Sequence, residues 1–176
     1  MMIHKKNIFG KIDTALSALR RGSFVMIRDQ NQRAGFVRAA EFADYQLPEI
    51  LQLKRTMPTL CFTNQQVKFL RPNMNSKKPA FSLPTKDLTG LEIIGLSTGA
   101  SQLLPVSGGI LPEQENSLVD LAVRFVKFSK LLPCALLYRI ETNDVFKQEA
   151  LCTSNYIPIL EFADIGSLVS IKNSLS

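Results

Sequence analysis

The sequence predicts one layered α/β (α+β) domain in which helices flank a mixed sheet. Apolar runs of strand length alternate along the chain with segments of helical periodicity. No internal repeat, low-complexity tract or linker interrupts that alternation. The chain has 176 residues and an apolar share of 45%, which suits a single hydrophobic core. Residues 1–176 are therefore predicted to form a single domain.

Short apolar runs mark the predicted strands, and apolar residues three or four apart mark the predicted helices. The first helix carries Ile12, Ala15, Leu16 and Leu19 on one face, and Gly22 is placed to end it. A second helix is predicted from Pro48 and a third from Asn64 to Leu70, with Asn64 as its cap. The predicted strands are 24–27, 35–42, 59–63, 81–85, 92–96, 134–140 and 157–162.

The clearest helix follows Asn116 or Ser117, either of which can cap it. Its apolar stripe faces one way and its charges the other, as in a helix packed on a core. A last short helix or turn is predicted from Asp164. The segment 71–79 is predicted to be a mobile surface loop and 97–109 to be irregular. The apolar stripe of the helix that follows Asn116 or Ser117 consists of Leu118, Leu121, Ala122, Phe125 and Val126.

Composition excludes several classes of protein. The net charge of +6 comes from scattered basic residues, which favours a solvated surface over a nucleic-acid interface. No apolar stretch approaches about 18 residues, so no membrane span is expected, and no apolar segment typical of a secretory signal follows Lys5 and Lys6. Cys61, Cys134 and Cys152 are widely spaced among apolar residues, which predicts buried, reduced thiols and a cytoplasmic location.

The residue types needed for common catalytic sites are missing from the body of the chain. His4 is the sole histidine and is predicted to lie in an exposed tail, so Ser-His and Cys-His pairs and most zinc or iron sites are not expected. The acidic residues are sparse and form no recognisable acid/base pair. The segments 97–99 and 108–109 could cradle a phosphate, although ordinary turns explain them better.

Several segments, in order, resemble the 3,4-dihydroxy-2-butanone 4-phosphate (DHBP) synthase family of riboflavin biosynthesis. The segment Phe36–Ala43, for example, reads FVRAAEFA and is close to the family's LVFAAEFA. The resemblance covers nearly the whole chain and implies the fold of that family and a homodimer. The segments are 12–22, 24–27, 36–43, 60–62, 96–101, 108–111, 119–122, 157–160 and 163–164.

The resemblance implies an activity whose residues this chain has largely replaced. The family converts ribulose 5-phosphate to a four-carbon phosphate and formate, using Mg²⁺, acidic residues and a histidine. Asp29 is kept, whereas Asn31 and Arg33 replace family glutamates, Gln114 replaces the ligand histidine and Arg139 replaces a strand glutamate. Because Mg²⁺ needs carboxylates, we expect no metal, no cofactor and no catalytic residue here. The predicted protein is a divergent, catalytically inactive homologue, linked to flavin metabolism.

The replacements also suggest that the former acidic site has become an anion pocket, since guanidinium groups suit phosphate and carboxylate. A sugar phosphate is the predicted ligand. Drift without a ligand is an alternative, as are a riboflavin-pathway lyase with a relocated site near Glu113, Glu115 and Asp120, and a nucleotide- or RNA-binding module. The predicted ligand-binding residues are Arg28, Asp29, Arg33, Thr98, Gly99, Ser101 and Arg139.

Overall fold

The computed structural model describes residues 2–47, 53, 56–74, 77–86, 88–99 and 109–174. Within these residues seven strands form one sheet in the order β5-β4-β3-β6-β2-β1-β7. β1 and β7 pair in parallel and all other neighbours are antiparallel, so the predicted mixed sheet is confirmed. The strands are β1 Val25–Arg28, β2 Ala34–Ala39, β3 Thr59–Thr63, β4 Ala80–Pro84, β5 Leu111–Glu113, β6 Cys134–Arg139 and β7 Ile159–Glu161.

Helices cover both faces of the sheet, and each face has its own apolar cluster. On one face, residues of α1, α4 and α6 pack on alternate residues of the strands. On the other face, α2, α3 and α5 contribute. The predicted layered α+β architecture is therefore confirmed. The helices are α1 Met2–Arg20, α2 Asn64–Leu70, α3 Gly90–Thr98, α4 Leu118–Phe128, α5 Val145–Ser154 and α6 Phe162–Ser174, with a 3₁₀ turn at Ala40–Phe42.

Local sequence explains the ends of several helices. Gly22 follows α1 with a φ of 76°, a conformation that residues with a Cβ rarely adopt. The Ser117 side chain accepts a hydrogen bond from the Asp120 backbone N–H and begins α4, as predicted. Thr63, not the predicted Asn64, caps α2 in a capping box with Gln66.

Other predictions of secondary structure were wrong. Residues 92–96 form part of α3 rather than a strand, because a capping box between Thr89 and Glu92 begins a helix there. The predicted strand 35–42 ends at Ala39, where the chain enters the 3₁₀ turn. β5 and α5 were not predicted, and the backbone of His4 lies within α1 rather than in a tail. The predicted helix from Pro48 lies outside the described residues, apart from Leu53.

Two further findings concern the cysteines and the search for membrane-spanning helices. Cys61, Cys134 and Cys152 are buried and not joined in disulfides, as predicted. No described helix is long and apolar enough to cross a membrane.

Candidate functional site

Asp29 organises the hairpin turn between β1 and β2. One oxygen, Oδ1, accepts the backbone N–H groups of Asn31 at 2.8 Å and Arg33 at 3.0 Å. The other, Oδ2, accepts Arg33 Nε at 2.7 Å. The Asp29 side chain is 2% exposed, so both oxygens are held inside the turn. The Asp29 carboxylate therefore serves its own hairpin.

Arg28 is buried and bound within the protein. Its Nε donates to Gln148 Oε1 at 2.8 Å, and Nη1 lies 2.6 Å from Glu161 Oε1. Its Nη2 has no hydrogen-bond partner among the described residues and lies 3.8 Å from Glu149 Oε1. Two of these partners belong to α5, so Arg28 lies on the sheet face that α5 covers. Ion pairs with Glu161 and Glu149 offset its charge within the protein.

Arg139 ends β6 and is exposed. It pairs with Gly35 on β2, two residues after Arg33, so it lies at the same end of the sheet as the β1–β2 hairpin. Strand alternation places its side chain on the same face as Leu137, which is the face covered by α4. Arg139 and Arg28 therefore lie on opposite faces of the sheet.

Thr98 and Gly99 lie at the other end of the sheet. They line an open, largely apolar cleft of about 340 Å³ together with Phe69 and Pro133. Pro133 directly precedes β6, whereas Arg139 ends that strand. Within the described residues, Thr98 and Gly99 therefore do not lie beside Arg139, and Ser101 lies outside the described residues. The structure brings Arg28, Asp29, Arg33 and Arg139 to one end of the sheet, with Arg28 and Arg139 on opposite faces, and separates Thr98 and Gly99 from them.

The residues near the N-terminus of α4 have partners of their own. Gln114 Oε1 accepts Lys78 Nζ at 3.0 Å. Glu113 Oε1 accepts the Ser82 hydroxyl at 2.5 Å. Asp120 is buried, accepts the Asn116 backbone N–H at 2.7 Å and forms an ion pair with Arg124. None of these contacts joins two acidic side chains to each other. A relocated acid/base pair made of two carboxylates would require such a contact.

Cys61 is buried in β3. Burial raises the pKa of the Cys61 thiol, Arg139 opposes that rise, and Glu113 adds to it. A buried thiol of this kind stays protonated at neutral pH and is a poor nucleophile or metal ligand. Cys61 is therefore a core residue and not part of a site.

Arg38 is a charged residue of the core that was not predicted from the sequence. Arg38 is 4% exposed and is the fifth of the six residues of β2, between Val37 and Ala39. All six residues of β2 are buried. An arginine within a strand that is apolar on both sides was the available signal, because such a charge must be accommodated inside the fold.

The described residues form a seven-stranded mixed sheet between two helical layers, and this arrangement defines the class of the fold. Similar solved structures identify the fold within that class. No family model matches the chain, and no curated protein matches it in sequence. The fold is that of the DHBP synthases, at a sequence identity that shows the fold alone.

Three solved structures illustrate the likeness. RibBX, a two-domain synthase from A. baumannii, has a TM-score of 0.60 and 14% identity over 88% of this chain, which spans 56% of that protein. The synthase of Candida albicans has a TM-score of 0.60 and 14% identity, covering 90% of this chain and 96% of its own. A synthase in complex with two magnesium ions has a TM-score of 0.63 and 12% identity, covering 92% and 97%.

The residues described here do not fit a magnesium site. No group of three His, Cys, Asp or Glu side chains comes together among the described residues. Both oxygens of Asp29 are occupied by donors, and a cation beside it would compete with Arg33. The exposed guanidinium of Arg139 at the same end of the sheet would repel Mg²⁺.

Proposed function

We propose that this protein is a divergent homologue of DHBP synthase that does not convert ribulose 5-phosphate and binds an anion such as a sugar phosphate instead. The observation that carries the proposal is the saturation of Asp29, whose two oxygens accept three hydrogen bonds from its own hairpin. A carboxylate in that state is not available to bind a metal or to move a proton.

The end of the sheet that holds the β1–β2 hairpin, with Arg28, Asp29, Arg33 and Arg139, is called the hairpin end. Its charges support the binding of an anion. Arg139 has no carboxylate within ion-pair distance among the described residues, and Arg33 is 55% exposed while its Nε contacts Asp29. The remaining guanidinium donors of both residues are therefore free to bind a phosphate or carboxylate group. A role in flavin metabolism and a reducing compartment are parts of the same proposal, the latter supported by three free, buried cysteines.

The activity test measures formate from ribulose 5-phosphate and Mg²⁺, with an established synthase as positive control. We expect no formate at a synthase rate and no complementation of a riboflavin-requiring strain. Formate release at a normal rate would disprove inactivity and favour a riboflavin-pathway lyase with a relocated site.

The binding test titrates ribose 5-phosphate into the protein by calorimetry. Removal of a charge-assisted contact in Arg139→Ala is expected to weaken binding by about tenfold. The matched control is Lys127→Ala, which removes an exposed charge on α4. Equal affinities in both variants would show that the hairpin end is not the site.

We also propose a homodimer. Two exposed apolar side chains support the homodimer. Phe69 is 62% exposed and Leu132 is 37% exposed, and both line the cleft that contains Thr98 and Gly99. Light scattering at micromolar concentration should give twice the chain mass of 19.6 kDa. Phe69→Glu is expected to shift the protein toward the monomer, whereas Phe146→Glu on α5 serves as control. A monomer mass for the unmodified protein would contradict the proposal.

A further inference from the structure

An open cleft of about 370 Å³ lies at the end of the sheet opposite the hairpin. Its walls come from the turn between α1 and β1, from Tyr45 and from the segment that joins α5 to β7. Arg38 lines the cleft and pairs with Leu136 in the first half of β6, whereas Arg139 ends that strand. The cleft is therefore separate from the end of the sheet that holds the β1–β2 hairpin and Arg139.

The charge of Arg38 is not neutralised within the described part of the chain. Nη1 donates to the carbonyl of Tyr45 at 3.1 Å and Nη2 to that of Gln46 at 3.3 Å, while Nε is buried and has no partner among the residues that the structure describes. The guanidinium carbon lies 4.2 Å from the centre of the Phe24 ring. No carboxylate lies within ion-pair distance of Arg38 among the described residues, and Glu41, three residues later, also has a buried oxygen without a partner.

Burial without a counter-ion disfavours the charged guanidinium. Desolvation lowers the pKa of Arg38, and nearby Tyr138 opposes that shift. Arginine nevertheless remains protonated in proteins, so the cost of burying the charge persists. An anion in the cleft would reduce that cost, because it would face a cation in a region of low dielectric.

The mouth of the cleft adds a second cation and two aromatic rings. Arg21 is exposed and forms no ion pair among the described residues. Tyr156 is 96% exposed and adopts a φ of 54°, which is rare for a bulky residue and a common mark of functional segments. Tyr45 is 53% exposed and lines the same cleft. Exposed tyrosines of this kind offer rigid apolar area to a planar ligand.

We propose that this cleft binds a small organic anion, whose charged group pairs with Arg38 and Arg21 and whose planar part lies against Tyr45 or Tyr156. The volume is within the range of small-molecule sites, about 300–1,000 Å³. Phosphate esters and carboxylates share this chemistry, and the probes below distinguish them. The site does not depend on the anion proposed for the hairpin end.

Calorimetry with four probes tests the proposal. Phenyl phosphate and benzoate each carry an anion and a ring, inorganic phosphate has only the anion, and phenol has only the ring. At least one of the first two is expected to bind about tenfold or more tightly than both fragments. The tighter of the two identifies the anionic group. Absence of binding by phenyl phosphate and benzoate at millimolar concentration would overturn the proposal.

Variants locate the bound probe. Arg21→Ala and Tyr156→Ala alter exposed side chains, and each is expected to weaken binding by about five- to twentyfold. Phe146→Ala is the matched control for Tyr156, because Phe146 is an exposed aromatic of α5 outside the cleft. Arg38→Met should abolish binding, with circular dichroism to confirm folding.

The same variants separate the cleft from the hairpin end. Arg139→Ala is expected to leave the affinity for phenyl phosphate or benzoate unchanged. Binding that survives Arg21→Ala and Tyr156→Ala would place the probe elsewhere and overturn the cleft proposal. Loss in Arg139→Ala with retention in those two variants would assign the probe to the hairpin end instead.

Discussion

Buried charges at the two ends of the sheet differ in whether they have a partner of opposite charge. At the hairpin end, Asp29 is matched by Arg33 and by backbone N–H groups, and Arg28 is matched by Glu161. At the other end, Arg38 is held by two carbonyls and an aromatic ring, with no described carboxylate beside it. A charge whose partners are all internal supports the fold, whereas a charge without a counter-ion is available to a ligand.

The comparison predicts that Asp29 contributes strongly to the free energy of unfolding. Asp29→Ala should lower the free energy of unfolding by about 3 kcal/mol, because it removes the buried acceptor of two backbone N–H groups and of Arg33. Urea unfolding measures the change. Arg33→Ala is the control and should cost at most about 1 kcal/mol, since its side chain is half exposed. Similar losses in the two variants would mean that the ion pair, not the turn, determines the effect.

A second prediction compares the two buried arginines. Arg28→Met should cost about 2 kcal/mol, because it breaks two ion pairs and the hydrogen bond to Gln148. Arg38→Met should cost about 1 kcal/mol, since the loss of two hydrogen bonds is partly offset by removal of a buried, unmatched charge. Urea unfolding of both variants in the same buffer measures the difference. If Arg38→Met is the more destabilising, Arg38 is a structural residue like Arg28.

The smallest effect concerns Cys152 of α5, whose Sγ lies 3.4 Å from Met26 Sδ on β1. Burial raises the pKa of the Cys152 thiol from 9.0 to about 12, and Arg28 opposes that rise. The unfolded chain therefore loses this proton first as pH rises. The contribution to stability is fully present below about pH 9 and is lost as pH rises toward about 12.

Urea midpoints at pH 8 and pH 10 measure that contribution. The stability of the unmodified protein should fall more over this interval than that of Cys152→Ala. Subtracting the two profiles removes the titration of lysines and tyrosines common to both. Parallel profiles would show that the thiol does not contribute.

Local sequence was sufficient for some elements and misleading for others. α4 was predicted correctly because its apolar stripe and the Ser117 cap agree. Residues 92–96 were misassigned because Ile93, Ile94 and Leu96 favour a strand, while the capping box and the packing of Ile93 and Leu96 on the sheet decide for a helix. α5 was missed because few of its residues are buried, which leaves little periodicity.

The sequence by itself determined which chemical groups are available. It determined that no histidine follows His4 and that the chain has a mixed α+β pattern, and it supplies Asn31, Gln114 and Arg139 where the resemblance implies a glutamate, a histidine and a glutamate. These follow from residue types and local periodicity, which do not depend on distant contacts.

The tertiary structure alone decided which charges have partners. Arg28, Arg38 and Arg139 are similar in sequence, each lying in or at the end of an apolar strand. Sheet register sends Arg28 and Arg139 to opposite faces, and the partners of Arg28 are Gln148, Glu149 and Glu161, more than a hundred residues away. Whether a buried charge is neutralised depends on such distant contacts, because Coulomb energy follows distance in space and not separation along the chain.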